Sequence, residues 1–341
     1  MTIIASGRRF DLNKYGVEKD FEEDIRDSSS VLFGKATIYI DAKKKIESKT
    51  LGATVPDGFF FDFKDPTDPQ FYIVEVELSR HGFYDHIFPQ ITKFFAFFKN
   101  TGLQKRLVDK LFSVVDSDPQ LKSEFRKYIG HTEIYKFLSD IIETSQNILL
   151  VTDGGIAELP EIMATYTDTW GKMVKCLEVR KYMSGNDVAY SVSPDVETLQ
   201  YAETEEAPND EGSGEQGPYS EQFHLEDVPQ SIRDVYAKIK QAATLIDGSV
   251  IFNPQKYYIS IKAPTNVAFL KIRKKKVRFI AMLPEVRIRD LIKIHAVASL
   301  SQPVQDFYNG PCAAIDIPDA ANFAEIETLL RDLLAHKPAG S

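Results

Sequence analysis

The chain has 341 residues, of which 43% are hydrophobic and 23 are Phe, with a net charge of −9. That length and apolar content suit two folded cores. No run reaches the ~18–20 apolar residues of a membrane span and no N-terminal stretch resembles a signal peptide, so a cytoplasmic protein without a membrane partner is expected.

Residues 1–14 form an arm or a first short strand. From Val17 to Gly34, Phe21, Ile25 and Leu32 mark an amphipathic helix, with Glu18 and Glu22 one turn apart on one face. Ala36–Ile46 alternates as a strand and runs into Lys43-Lys44-Lys45. Gly58–Phe63 and Phe71–Leu78 then read as two strands of an antiparallel hairpin turning at Lys64–Gln70. In the second strand Tyr72, Val74, Val76 and Leu78 share one face, and Ile73, Glu75 and Glu77 share the other. The hairpin brings Asp57 toward that second face. Buried carboxylates side by side need compensation, and a divalent cation with oxygen ligands supplies it.

Phe83–Phe98 has helical spacing, with His86, Gln90 and Lys93 along the polar flank of an apolar stripe. Helices at 103–114, 119–129, 133–142 and 160–170 and strands at 147–152 and 174–181 complete an α/β sandwich. The lone Trp170 reads as packing. Cys176 and Cys312 lack metal-type spacing and read as buried free thiols, and the six scattered histidines give no zinc motif.

Residues 203–227 hold nine acids and no Lys or Arg. Without them the chain carries 41 acids against 41 bases, so the net charge does not exclude a nucleic-acid partner. This Glu/Gly/Ser/Pro-rich stretch reads as a flexible linker. A second domain follows, with a helix at 232–246, strands at 256–262, 267–272 and 276–282, and later helices from Val304 and at 320–334. Residues 251–300 hold eleven bases and two acids. Lys271, Arg273, Lys274, Lys275, Lys276 and Arg278 are therefore expected as a phosphate-binding face. Holding the acidic linker is the other role open to that patch.

Pro56-Asp57, then Glu75-Val76-Glu77 after 18 residues, resembles the PD-(D/E)XK nuclease superfamily over about residues 15–195. Gln90-Ile91-Thr92-Lys93-Phe94 is similar to the QxxxY signature of its exonuclease-like branch, with Phe94 in place of Tyr. The resemblance implies a restriction-endonuclease-like α/β sandwich over 1–200, in which Asp57 and Glu75 hold Mg²⁺ or Mn²⁺. Glu77 replaces the family's Lys and would be a third ligand or water-positioning base. Gln90 would orient water or phosphate, Lys93 would present the missing ammonium from the helix, and Glu22 would add a further acid. After a linker at 201–229, residues 230–338 resemble a small α+β domain of unknown function that recurs beside such nucleases. The implied activity is metal-dependent cleavage of nucleic acid, DNA before RNA, in DNA repair or phage defence, with a homodimer left open. The alternative is a catalytically inactive nuclease fold that binds nucleic acid or regulates.

Overall fold

Phenylalanine-rich strands with period-two alternation build the first of two sheets in this computed structural model, which describes residues 2–45, 55–167, 169–199, 219–226 and 228–335. The chain divides into two compact units, Met1–Leu199 and Gln200–Ser341.

In the first unit the strands are β1 (Thr2–Ala5), β2 (Arg8–Asn13), β3 (Thr37–Asp41), β4 (Gly58–Asp62), β5 (Gln70–Glu77), β6 (Asn147–Thr152), β7 (Val174–Ser184) and β8 (Asp187–Ser193). They form one mixed sheet in the order β1-β2-β7-β6-β5-β4-β3, with β8 also on β7. The β5–β6 and β6–β7 pairs are parallel, and the rest are antiparallel. Each parallel pair is joined by a helical crossover, as parallel neighbours require. The expected arm at 1–14 is a hairpin, β1–β2, whose turn residues Ser6 and Gly7 both have positive φ, 51° and 72°.

Both faces of this sheet are covered by helices. Phe59, Phe61, Phe71 and Ile73 pack under the helices Phe88–Phe98, Thr101–Ser117, Pro119–Ile129 and Ile134–Thr144. Phe60, Tyr72, Val74 and Val76 pack on the other face against Phe21 and Ile25 of the helix Glu18–Asp27. The alternation of β5 thus separates two cores, as its sequence pattern requires. Trp170 is buried with its ring stacked on Phe88 at 5.3 Å. The helix expected at 83–98 begins with one π-helical turn, Phe83–Ile87, before regular helix from Phe88.

The second unit holds β9 (Ile251–Pro254), β10 (Ile259–Lys262), β11 (Asn266–Ile272), β12 (Val277–Ala281), β13 (Ala296–Ser299) and β14 (Ala313–Ile317). They form an antiparallel sheet ordered β13-β14-β12-β11-β10-β9. One face packs against the helices Gln230–Ile246 and Phe323–Ala335. Residues 201–218 of the expected linker lie outside the described residues. Its last part is structured instead: Glu221–Leu225 is a short helix capped by Ser220, with Glu221 ion-paired to Lys240 at 2.7 Å. Leu225 packs against the core of this unit, so its apolar contact outweighs the acidity of its neighbours.

The expected basic face is largely turned inward. Lys271, Arg278 and Asp316 fall in register across β11, β12 and β14 on the face that also carries Phe269, Ile280 and Ala314. Arg278 is 2% exposed and, with Lys276, pairs with Asp316 at 2.9 Å each. Lys271 is buried and Arg273 and Lys274 are half-buried, so of the six bases only Lys275 is exposed. Strand parity places the charge on a sheet face that other residues cover. Cys312 is a buried free thiol and Cys176 a half-buried one.

No helix among the described residues is long and apolar enough to cross a membrane.

Candidate metal centre

Strand register gathers the carboxylates at one end of the first sheet. Gly58 pairs with Val74 and Asp41 pairs with Gly58, so Asp57 lies at the chain entry to β4, between β5 and the exit of β3. The Asp57 backbone N–H donates to Val74 O at 3.1 Å. Asp57 Oδ2 in turn accepts from the Val76 N–H at 2.7 Å. Glu75 and Glu77 follow Ile73 on the same face of β5, and Asp57, Glu75 and Glu77 are 7%, 3% and 2% exposed.

The Gln90 amide, from the helix packed on that face, donates to Glu75 Oε1. The other oxygen, Glu75 Oε2, is buried and has no hydrogen-bond partner among the described residues. Burial first, and then the charge of Asp57, push the Glu75 carboxyl well above its ordinary pKa, and Glu77 and Glu18 add to the effect. Asp57 is likewise pushed up by burial to about 6, although Lys43 and the Val76 N–H pull the other way. A row of acids held this unfavourably is the arrangement a cation relieves.

Lys43 supplies the positive charge beside this row. Its ammonium pairs with Asp57 Oδ1, and with Glu22 Oε2 at 2.9 Å. Burial alone would lower the Lys43 pKa, but Asp57 and Glu22 hold it above the usual lysine range. A cleft of about 170 Å³, lined by Lys19, Glu22, Arg26, Tyr39, Lys43 and Asp57, opens over it. The expected ammonium from Lys93 is not part of this arrangement. Lys93 is exposed, and among the described residues it makes no ion pair with the cluster. The physical reason is the register of β3. That strand ends at Asp41 beside the start of β4, so Lys43 overhangs Asp57, whereas Lys93 lies nearly a helical turn past Gln90 on the solvent side.

Glu77 faces a different set of partners. His81 Nδ1 lies 2.8 Å from Glu77 Oε2 and 3.1 Å from Glu18 Oε2. Glu18 is pushed up to about 7, first by burial and then by Glu77. Asp57, Glu75 and Gln90 are therefore brought together, Glu22 joins through Lys43, and Glu77 stands with Glu18 and His81. Sequence reasoning missed Lys43 and His81. Pairing the strand ending at Asp41 with the strand starting at Gly58 would have found Lys43, and the i, i+4 spacing of Glu77 and His81 was visible just past the end of β5.

No family model, curated protein or solved structure matches this chain.

Proposed function

We propose that the first unit is a metal-dependent nuclease with a restriction-endonuclease-like sandwich, hydrolysing phosphodiester bonds of nucleic acid, DNA before RNA. The observation that carries this reading is Glu75 Oε2, a buried carboxylate oxygen without a partner among the described residues, next to the similarly buried Asp57. Natural buried polar atoms are nearly always paired, and a bound ion is one of the few explanations for an orphan. The order Asp57, Glu75-Val76-Glu77, Gln90 along the chain supports the same reading.

Asp57 and Glu75 would hold Mg²⁺ or Mn²⁺, which supplies a bound water of lowered pKa and charge for the scissile phosphate. The protein's own part is positioning. The Val76 N–H fixes one oxygen of Asp57, and Gln90 fixes one oxygen of Glu75, so the remaining oxygens of the two acids have set directions. Lys43, from the short helix Ala42–Lys45 that follows β3, would take the part of the family's lysine. Its ammonium can hold an attacking water or neutralise a phosphate oxygen at the mouth of the cleft. Glu22 holds Lys43 from the opposite side.

The test is digestion of duplex DNA, single-stranded DNA and RNA with Mg²⁺ or Mn²⁺, by wild type, Asp57→Asn and Lys43→Ala. Cleavage by wild type, lost in Asp57→Asn and reduced by roughly 10²-fold or more in Lys43→Ala, is expected. Wild-type protein inert on all three substrates would leave the fold as a binding or regulatory module and overturn the enzymatic reading.

A further inference from the structure

The N-terminal unit carries a second cluster that the reaction above does not use: Glu18, Glu77 and His81. One ligand atom from each lies within 4.8 Å of the other two. The separations of 2.8 and 3.1 Å from His81 Nδ1 to the two carboxylate oxygens match neighbouring corners of one coordination shell. Ligands ~2.1 Å from an octahedral ion and at right angles to each other lie about 3 Å apart.

The loop that presents His81 is tied to the helix that presents Glu18. Arg80 donates to Tyr15 O at 2.8 Å and to Gly16 O at 2.6 Å, immediately before that helix begins. Ser79 N–H is held by Asp153 Oδ1 at 2.7 Å, and the His81 N–H by Leu78 O at 2.9 Å. The donor set is therefore built before any ligand arrives. Glu77, the ligand from the strand, is 2% exposed, so the cluster is closed on its sheet side.

We infer that Glu18, Glu77 and His81 form a second cation site, which takes a divalent transition metal of the Mn²⁺ class in preference to Mg²⁺. The preference follows from the donor atoms. Imidazole nitrogen suits transition metals, whereas Mg²⁺ selects oxygen and water. The site shares no ligand with the Asp57 and Glu75 centre proposed above. Its three own ligands do not depend on cleavage. This also gives a role to the Glu that replaces the family's lysine: Glu77 acts as a ligand on the histidine side, and the positive charge comes from Lys43.

The experiment is Mn²⁺ titration of the full chain without any nucleic acid, read by calorimetry and by pulsed electron paramagnetic resonance. Nitrogen-14 modulation from a coordinated imidazole is expected in wild type and in Asp57→Asn, and its loss is expected in His81→Gln. His81→Gln should weaken Mn²⁺ at that site at least ~10-fold and Mg²⁺ much less, and Glu18→Gln, on a helix surface, should act in the same direction. Absence of nitrogen modulation in Mn²⁺-saturated wild type, or its persistence in His81→Gln, overturns the site. Because no substrate is present, a protein that binds Mn²⁺ through His81 yet cuts nothing leaves this site standing and removes only the nuclease reading.

Discussion

Glu75→Gln is expected to stabilise the cation-free protein. Glu75 is 3% exposed, has one oxygen without a donor, and faces like charge from Asp57, Glu77 and Glu18. The amide is isosteric. Its oxygen can keep the hydrogen bond from Gln90, and its NH₂ can donate to a neighbouring carboxylate. Leaving a buried acceptor unpaired costs about 1–3 kcal/mol. The wild-type alternative, taking up a proton at pH 8 against an ordinary carboxyl pKa of 4.5, caps the gain at ~5 kcal/mol. For a unit of this size each kcal/mol moves Tm by roughly 2–4 °C. Added Mg²⁺ should narrow the gap, since ligand at 100 times Kd stabilises by ~2.7 kcal/mol only the protein that binds it. Trp170, the single tryptophan, is buried in this unit, so its fluorescence reports this unfolding transition. A Glu75→Gln variant less stable than wild type without cation, or one that gains as much from Mg²⁺, would refute the reasoning.

Three further outcomes are expected. A Cβ on Gly58 would lie 2.8 Å from Tyr39 Cε2, so Gly58→Ala should lose ~1–3 kcal/mol, and Tyr39→Ala in the same chain should restore part of it in a double-mutant cycle of urea midpoints. Asp316→Ala should destabilise the second unit by about 3–5 kcal/mol by urea denaturation, because it strips a carboxylate from Lys276 and the buried Arg278. Burial would raise the Glu325 carboxyl, but N–H groups of Lys293, Ile294 and His295 and the His295 ring hold it down at about 2, against an ordinary 4.5. A depressed acid contributes stability above about pH 4.5 that disappears as pH falls toward 2. The gap between wild type and Glu325→Gln should therefore close over that range in hydrogen exchange across 285–335.

Local pattern carried the hairpin and its acids well. The alternation of 71–78 fixed which residues of β5 face each core, and the turn length brought Asp57 to Glu75, because both are properties of contiguous chain. Lys43 was hidden because its role depends on how β3 registers against β4, a long-range pairing. In the second unit β9, β13 and β14 were missed: β9 ends in Asn-Pro, and β13 and β14 are Ala-rich, so none shows a run of the β-branched and aromatic residues that mark a strand. The basic stretch 271–278 shows the limit of counting charge. Eleven bases in fifty residues describe composition, whereas parity and the acid on β14 decide which way Lys271 and Arg278 point.

The central claim, a cation held between Asp57 and Glu75, is tested most directly by anomalous scattering from crystals soaked in Mn²⁺. A peak bonded to oxygens of both carboxylates at ~2.1 Å, absent from Asp57→Asn crystals, is the expected result. A saturated soak that leaves no anomalous peak between these two side chains would contradict the account.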